Sequence, residues 1–552
     1  MRSYKTWSGH HPNSSSGLHQ IKIFHKVVES KYGLISWPIL VALLVNITVL
    51  LSVFTLLKEQ QLFDGFSVVA NARSSHSKPE KEGELDDELL GGLLHSIFDE
   101  RSCPSRYQSV HYLKGLKRQP SPYLISKLRS YEVLHRQCEP YTEQYNKTVQ
   151  LIQSGGELSP THCKYVIWTP FSGMGNRILT LASTFIYAIL TNRILLLDFR
   201  DFTSDLFCEP FPETSWILPR DFPIAHYLGE FNQTSSYCHG YMVKNNLTGQ
   251  SSGIPPFIYL NLIYDMDQYD ESFFRDTEQQ KLLIKVPWII VMSDEYFIPS
   301  LFMMKSFKEE LENMFPDKDS VFHLLGRYLL HPTELVWGLI TRYYQAYLAQ
   351  ADDKIGVQIR VFDGPSWPLQ HVFDQIITCT SMWNILPPVI KNGHRSTGTG
   401  HREIKNTTKV VLVTALNPGY SDAIRLMYSM NPTETGEVIQ VHQPSHEEYQ
   451  KMEDLLHYTR ALAEIYLLAM SDTLVTSACS TFGYVAQGLG GLESWVMYKP
   501  ENDTVPDPSC GRVLSMEPCF HLPPSHTIME HVSYVRPCED KLNGLKLYKD
   551  TN

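Results

Sequence analysis

The segment that most constrains the fold of this chain runs from Tyr165 to Leu190. It opens with an apolar, strand-like run, Tyr165-Val-Ile-Trp-Thr169, passes through the turn Gly173-Met-Gly-Asn-Arg177 and continues as a helix-like stretch. A strand, a glycine turn and a helix in this order bring free backbone N–H groups and the positive end of a helix together, which suits an anionic ligand. The third glycine of a dinucleotide fingerprint is missing, because Ile178 follows the turn. A tight structural turn and another kind of anion site are therefore the alternatives to a dinucleotide site.

Short apolar runs alternate with helical stretches along the rest of the chain. Strands are predicted at 193–198, 285–293, 354–362, 409–416, 437–442 and 472–477, and helical stretches at 321–350, at 449–470 and from Thr481 onward. This alternation is typical of parallel sheets covered by helices. The sequence therefore predicts an α/β fold with two Rossmann-like doubly wound domains, at 163–320 and 321–552, after a helical lead-in at 91–162. Ligands of such sheets gather at the carboxyl ends of the strands.

The N-terminal part predicts a membrane anchor. Residues 33–57 contain no charged side chain and are long enough to cross a bilayer as a helix. Lys and Arg residues are frequent in the preceding tail, 1–32, whereas Lys58 is followed at once by Glu59. The positive-inside rule then places the tail in the cytosol and gives a single-pass type II signal anchor. The polar stretch that follows, 58–90, is predicted to be a flexible stem.

The cysteines and glycosylation sequons agree with a luminal location. All ten cysteines follow the apolar run, and their spacings contain no Cys-x-x-Cys pair. Disulfides in an oxidising lumen are therefore favoured over metal ligation, with the pairing left open. Five acceptor sequons fall on the same side, at Asn146, Asn232, Asn246, Asn406 and Asn502.

Charge and missing motifs exclude several function classes. The formal net charge of −11 argues against a general nucleic-acid binder. The chain contains no Gly-x-x-x-x-Gly-Lys-Ser/Thr, Gly-x-Ser-x-Gly or His-Glu-x-x-His motif, which argues against phosphate-loop enzymes and the common hydrolases.

Polar residues gather where three predicted strands end. Gln358-Ile-Arg360 falls within an otherwise apolar strand, where an arginine either faces a ligand or forms a structural ion pair. Asp294 follows the strand at 285–293, and its carboxylate acts on a sugar hydroxyl or caps a helix. Ser480-Thr-Phe-Gly-Tyr484 opens a helix, which suits a phosphate and a stacked base or sugar, or else is an ordinary cap.

Two further patterns carry less information. Asp265-Met-Asp267 matches the Asp-x-Asp pattern that can bind a metal together with a sugar nucleotide, although such triplets often arise by chance. His442 and His371 either serve a site or are hydrogen-bonded structural histidines, which is the commoner outcome.

A series of longer motifs identifies a family. They are Gly-Met-Gly-Asn-Arg-Ile-Leu-Thr-Leu-Ala-Ser, Ser-Asp-Leu-Phe-Cys-Glu-Pro-Phe-Pro, Tyr-Phe-Ile-Pro-Ser-Leu-Phe, Gly-Arg-Tyr-Leu-Leu-His-Pro-Thr, Gly-Val-Gln-Ile-Arg-Val-Phe, Val-His-Gln-Pro-Ser and Ser-Thr-Phe-Gly-Tyr-Val-Ala-Gln-Gly-Leu-Gly-Gly-Leu. In this order they closely resemble the plant xyloglucan fucosyltransferase family, from about Cys163 to Leu547. The resemblance implies a Golgi type II enzyme that transfers L-fucose from GDP-fucose to a galactose residue of a cell-wall glycan. It further implies an α-1,2 link formed with inversion and without a metal, on a two-domain variant of the glycosyltransferase B fold.

The resemblance also implies roles for individual residues. Arg360 would bind the GDP diphosphate, because its planar, permanently charged fork suits the phosphate oxygens. Asp294 would orient or deprotonate the galactose 2-hydroxyl. The remaining donor-site residues would be Gln358, Ser480, Thr481, Phe482 and Tyr484, and the residues at the cleft and acceptor side would be Gly175, Asn176, Arg177, His442 and Gln443.

The implied partners are GDP-fucose, a galactosylated cell-wall polysaccharide and the Golgi membrane, with no metal, no other cofactor and no nucleic acid. Xyloglucan is the expected acceptor, and arabinogalactan-protein glycans are the alternative. Glu295 departs from the family pattern, in which an amide or a basic residue is expected. The competing class is an inactive, membrane-tethered glycan-binding scaffold subunit; a homodimer, or a complex with other wall glycosyltransferases, is compatible with either class.

Overall fold

Two mainly parallel sheets form the framework of the protein in the computed structural model. The first sheet has four parallel strands in the order β2-β1-β4-β3. They are β1 (Tyr165–Thr169), β2 (Ile194–Leu197), β3 (Phe257–Leu262) and β4 (Trp288–Ser293). Every residue of these strands is buried, which explains their nearly continuous apolar sequences.

The second sheet has six strands in the order β10-β9-β8-β5-β6-β7, all parallel except β10. They are β5 (Asp353–Gln358), β6 (Thr408–Thr414), β7 (Val438–His442), β8 (Thr473–Ser477), β9 (Trp495–Met497) and β10 (Cys510–Arg512). A separate antiparallel ribbon joins β11 (Val535–Pro537) to β12 (Leu545–Leu547). The predicted α/β class with two parallel sheets is therefore confirmed.

Helices connect and cover the strands. They are α1 (Pro104–Gln108), α2 (Pro122–Gln137), α3 (Glu143–Ser154), α4 (Met174–Leu190), α5 (Thr203–Leu206), α6 (His239–Lys244), α7 (Glu278–Lys285), α8 (Ile298–Leu301), α9 (Lys305–Met314), α10 (Val321–Leu329), α11 (Glu334–Tyr343), α12 (Leu369–Met382), α13 (Gly419–Met430), α14 (Leu455–Ala469) and α15 (Thr481–Gly490). The structure describes residues 89–99, 101–154, 162–198, 200, 203–248, 254–275, 278–361, 369–390, 407–451, 454–500, 504–525 and 532–550.

Each sheet has a switch point, where successive crossover connections leave in opposite directions. In the first sheet it lies between β1 and β4, and in the second sheet between β5 and β8. Open α/β sheets bind ligands in the crevice that such a point creates at the carboxyl ends of the strands. The loops that follow these four strands are therefore the places to look for a site.

Disulfides, which the cysteine pattern predicted, join four pairs. These are Cys103–Cys208, Cys138–Cys163, Cys379–Cys510 and Cys519–Cys538. The bond of Cys138 ties the end of α2 to the residues before β1, so that the helices preceding the first sheet are covalently attached to it. Cys238 and Cys479 are free thiols.

Three predicted sequon asparagines, Asn146, Asn232 and Asn246, are exposed, whereas Asn406 and Asn502 lie outside the described residues. The predicted tail (1–32), the predicted span (33–57) and all but the last two residues of the predicted stem (58–90) also lie outside them. Within the part of the chain that the structure describes, no helix is both long and apolar enough to cross a membrane.

Candidate active site

Two strand-to-helix turns, one from each sheet, contact each other at the switch points. β1 leads into α4, and β8 leads into α15. The residues that precede these helices, Gly173 and Ser480, provide no side-chain cap, so both helix starts offer backbone N–H groups to an anion. A Cβ atom at Gly175 would lie 2.6 Å from the backbone nitrogen of Phe482. Only a glycine therefore allows the two helix starts to approach so closely.

Asn176 connects the two turns by hydrogen bonds. Its Nδ2 donates to the carbonyl oxygen of Asp294 over 2.8 Å, and its Oδ1 accepts from Oγ1 of Thr481 over 2.9 Å. The side chain thus joins the carboxyl end of β4 to the start of α15. It fixes the position of Asp294 relative to the second sheet.

These groups line a cavity of about 370 Å³, called the central cleft below. Its lining includes the predicted residues Gly175, Asn176, Asp294, Gln358, Arg360, Ser480, Thr481 and Phe482. It also includes Glu295, Ser445, Glu447, Gln450, His457, Tyr458, Arg460, Glu464 and His521, none of which was predicted as a site residue.

Arg360 lies two residues past β5, at the boundary between the central cleft and a neighbouring cavity of about 560 Å³. This C-terminal cavity is also lined by Val372, Gln375, Met497, Tyr498, Lys499 and Asp540. The backbone N–H of Arg360 donates to Oγ of Ser477 over 2.9 Å, and Nη2 donates to Oε1 of Gln450 over 3.4 Å. Burial lowers the pKa of Arg360, yet a guanidinium stays charged at neutral pH. Gln358 supports the same loop, because its Oε1 accepts from the N–H of Ser477 over 3.4 Å.

Asp294 lines the cleft and has a buried carboxylate oxygen. Its Oδ1 has no hydrogen-bond partner among the described residues. Desolvation by burial, together with the charge of Asp265, raises the pKa of Asp294 to about 6. Such a carboxylate is mostly ionised at neutral pH and still able to take up a proton, which is what a general base requires.

Glu295, the next residue, is a second buried carboxyl group. Its Oε2 accepts from the backbone N–H of His521 over 3.0 Å. Burial and the charge of Asp294 raise the pKa of Glu295 to about 8, so this group keeps its proton at neutral pH. The sequence revealed Glu295 only as a departure from the family pattern, because nothing in it showed that residue 521 would fold over this position.

Charged residues from the loop after β7 and from α14 form another wall of the central cleft. The Glu447 carboxylate lies 2.8 Å from Nζ of Lys451 and 3.6 Å from Nδ1 of His457, and it also bonds Nη1 of Arg460. Lys451 and Arg460 hold the pKa of Glu447 at about 2. The polar stretch that follows the predicted strand at 437–442 was a signal for this wall, since ligands collect at such strand ends.

Not every predicted residue lies at the central cleft. Arg177 donates from Nε to the carbonyl oxygen of Ser172 over 2.9 Å, and its guanidinium carbon lies 4.8 Å from the centre of the Tyr458 ring. It lines a different cavity, described below. The buried Tyr484 donates its hydroxyl to Oδ2 of Asp540 over 2.6 Å and does not line the cleft. Tyr484 therefore supports the wall of the cleft from behind, whereas Arg177 lines the separate cavity.

His442 and Gln443 also lie away from the cleft. The His442 ring packs on Tyr347, with 4.8 Å between the ring centres. The buried Gln443 accepts from Oγ of Ser421 over 2.6 Å and donates to the carbonyl oxygen of Ala415 over 3.1 Å. Two residues further on, Ser445 does line the cleft, and its N–H and hydroxyl both donate to Glu464.

A cavity of about 800 Å³ lies at the carboxyl ends of the first sheet, and is called the first-sheet groove below. Its lining includes Thr169, Phe171, Arg177, Asp198, Arg200, Phe231, Asn232, Gln233, Tyr259, Asn261, Ile263, Asp265 and Met292. The Asp294 carboxylate is close enough to Asp265 for the two charges to interact. The groove therefore ends next to the central cleft.

The predicted Asp-x-Asp pair does not form a metal cluster. Oδ1 of Asp267 accepts from the N–H groups of Tyr269 and Asp270 over 2.8 and 3.0 Å, so this carboxylate caps a turn. Oδ1 of Asp265 accepts from Nδ2 of Asn261 over 3.3 Å. Within the described residues no group of three or more His, Cys, Asp or Glu side chains is arranged to hold a metal ion.

Comparison with known proteins places these features in one family. A family model described as xyloglucan fucosyltransferase matches residues 62–529. The galactoside 2-alpha-L-fucosyltransferase of Pisum sativum is 53% identical over 471 residues, which cover 84% of this chain and 82% of that protein. The protein of the same name from Arabidopsis thaliana is 53% identical over 470 residues, which cover 84% of this chain and 83% of that protein.

One solved structure is also similar over most of the chain. It is a mutant of Arabidopsis thaliana FUT1 in complex with GDP, which is 51% identical and superimposes with a TM-score of 0.77. The match covers 84% of this chain and all of that chain. Since both sheets and the central cleft fall within the matched residues, this chain belongs to the xyloglucan fucosyltransferase family.

Proposed function

We propose that the protein is an inverting galactoside 2-α-L-fucosyltransferase that transfers L-fucose from GDP-fucose to a galactose residue of xyloglucan. The observation that carries this proposal is the meeting of Asp294 and Arg360 in one cleft, from the switch points of two different sheets. The names of the relatives from Pisum sativum and Arabidopsis thaliana, and the GDP in the FUT1 structure, support the same reaction.

On the donor side, Arg360 and the start of α15 bind the diphosphate. Arg360 lines both the central cleft and the C-terminal cavity, so a diphosphate at this arginine leaves the nucleoside in one cavity and the fucose in the other. Negative charge grows on the diphosphate as the bond from the fucose C1 to oxygen breaks. A fixed guanidinium and uncapped backbone N–H groups stabilise that charge without moving. Because they supply positive charge, the proposal requires no metal.

On the acceptor side, Asp294 takes the proton of the galactose 2-hydroxyl. As it loses its proton, the galactose 2-oxygen attacks the fucose C1 from the side opposite the diphosphate, and GDP leaves with the electron pair of the broken bond. Attack from the opposite side inverts the configuration at C1. Asn176 holds Asp294 at the correct distance from the donor, which matters because small misplacements of reacting groups cost large factors in rate.

The proposal includes the setting of the enzyme. We assign the acceptor side to 163–320 and the donor side to 321–552, as two domains of a glycosyltransferase B variant. A type II anchor at 33–57 would hold them in the Golgi lumen, where GDP-fucose and nascent wall polysaccharides meet.

The test is a transfer assay with the full-length chain and GDP-fucose. A galactosylated xyloglucan oligosaccharide should be fucosylated faster than an arabinogalactan glycan, with and without EDTA. Asp294→Asn should lose most transfer while still binding GDP. Absence of both transfer and donor hydrolysis would favour the scaffold hypothesis, faster reaction with arabinogalactan would change the acceptor, and loss with EDTA would reinstate Asp265 and Asp267 as metal ligands.

A further inference from the structure

A pair of stacked aromatic rings stands where the first-sheet groove approaches Asp294. The ring centres of Phe171 and Tyr264 are 6.4 Å apart, with 23° between the ring planes. Phe171 lines the groove, and Tyr264 is held between Ile263 and Asp265, which both line it. Phe171 packs partly against the core of the first sheet, whereas Tyr264 is 63% exposed. The outer ring of the pair is thus free to accept a ligand on its face.

Tyr264 is connected to Asp294 through its backbone. Its main chain lies within hydrogen-bonding reach of the Asp294 carboxylate, as part of the loop that carries Asp265. A ligand that stacks on the Tyr264 ring would therefore bring its hydroxyl groups towards this carboxylate. Since the contact uses the backbone, the side chain of Tyr264 can change without removing it.

The charges of the groove favour a neutral ligand. Arg200 donates from Nε to both carboxylate oxygens of Asp198, over 3.0 and 3.1 Å. Arg177 is engaged by the Ser172 carbonyl oxygen and the Tyr458 ring. Asp265 adds a negative charge to the lining. The two arginine and two aspartate charges of the lining balance, so the groove has no excess positive charge that would select a uronic acid.

We propose that the Tyr264 ring, backed by Phe171, is the platform on which the acceptor galactose stacks, and that the first-sheet groove holds the neutral oligosaccharide attached to it. This inference rests on the proposed function. The axial 4-hydroxyl of galactose leaves the C–H groups of C3, C4 and C5 together on one face, which suits the electron-rich face of an aromatic ring. In glucose the equatorial 4-hydroxyl places the C4 hydrogen on the opposite face from those of C3 and C5, so this particular C–H patch is absent. Tyr264 thereby determines specificity, while Asp294 handles the proton.

The experiment compares Tyr264→Ala with Tyr264→Phe in the full-length chain. With a galactose-terminated xyloglucan oligosaccharide, Tyr264→Ala should raise the acceptor KM about tenfold. The KM for GDP-fucose and kcat at saturating acceptor should stay within about threefold of wild type. Tyr264→Phe should behave like wild type, because the ring is retained. Tyr141→Ala is the matched control, since Tyr141 is 65% exposed. It lies three residues after Cys138, whose disulfide to Cys163 places this segment near the amino end of β1, away from the groove.

An unchanged acceptor KM in Tyr264→Ala would overturn the platform while leaving the fucosyltransferase reaction in place. Equal losses in Tyr264→Phe and Tyr264→Ala would assign the effect to the hydroxyl and also overturn stacking. If the wild-type chain fucosylates no galactoside, the proposed function fails, and calorimetric titration with the same oligosaccharide decides the platform separately. Weaker binding by Tyr264→Ala than by wild type would support it, and equal or undetectable binding by both would overturn it.

Discussion

The contact between the starts of α4 and α15 suggests a sharp test, the substitution Gly175→Ala. The new Cβ would lie 2.6 Å from both the backbone nitrogen of Phe482 and the carbonyl carbon of Thr481, about 0.8 Å short of the 3.4 Å at which ordinary contact begins. Both neighbours are backbone atoms, so no side-chain rotation can relieve the overlap. The starts of α4 and α15 must move apart by several tenths of an ångström.

The effect on stability should be modest and the effect on rate large. Overpacking of this kind costs about 1–3 kcal/mol, and alanine recovers up to about 1 kcal/mol because it is a better helix former than glycine. The net loss of unfolding free energy should therefore be about 1 kcal/mol. A misplacement approaching 1 Å between reacting groups lowers a rate about 100-fold. Transfer activity should thus fall far more than stability does.

The assay measures kcat/KM for transfer from GDP-fucose to a galactosylated oligosaccharide, alongside urea unfolding of the same preparations. Gly115→Ala is the matched control, since no heavy atom lies within 4 Å of a Cβ at that glycine. The control should retain wild-type activity and stability. A Gly175→Ala protein that folds and transfers within threefold of wild type would refute the view that the contact of the two helix starts sets the catalytic geometry.

Three further outcomes are expected. Arg360→Lys should keep the unfolding free energy of wild type. It should lower kcat/KM at least 100-fold and weaken inhibition by GDP, because a bidentate contact becomes a point charge. Turnover at the wild-type rate would show that Arg360 does not belong to the site. The kcat/KM for transfer should rise with pH through about 6 as Asp294 loses its proton. Asp265→Asn should shift this rise to lower pH, because it removes a charge that raises the pKa of Asp294. A kcat/KM profile that rises at the same pH in the variant would contradict the assignment of Asp294 as the base. Burial raises the pKa of Glu517 to about 8 from the ordinary 4.5, so its contribution to stability is full below pH 4.5 and is lost as the pH rises to 8. In urea unfolding at pH 5 and pH 8, Glu517→Gln should therefore lose less stability over this interval than wild type; an equal loss would show that Glu517 ionises normally.

The strands that the sequence predicted contain a run of apolar side chains, most clearly in β1 and β4, although β5, β7 and β8 also include polar residues. Burial on both faces of a parallel sheet requires this composition. β3 was missed because it contains Tyr259 and Asn261, whose polar atoms bond each other over 3.0 Å in the fold. The helical stretch predicted at 321–350 is interrupted between α10 and α11, where Pro332 lacks an N–H for a continuous helix.

The site residues show a similar division. Residues directly after β4, β5 and β8 were predictable, because the strand-end rule needs only local sequence. His442 was expected at the cleft, yet β7 is an edge strand, two strands away from β5 at the switch point, and only the loop that follows it, with Ser445 and Glu447, reaches the cleft. Strand order depends on the directions of the crossovers, which local patterns do not record. His521 was missed for the same reason, since its contact with Glu295 spans more than 200 residues of chain.

In the proposed reaction the donor binds at the second sheet and the acceptor at the first sheet, which explains where specificity for the acceptor can vary. In this proposed reaction Arg360 and α15 bind only the donor, which every acceptor reaction shares, and Asn176 and Gly175 fix them against Asp294. A substitution at that junction therefore affects all acceptors equally. The first-sheet groove lies on the acceptor side of the proposed reaction, so those residues of its lining that do not act on Asp294, as Asp265 does, can change without altering the donor contacts. Within one family, acceptor choice should then be encoded around Tyr264 and the groove, and exchange of these residues should alter the acceptor KM while leaving donor hydrolysis unchanged.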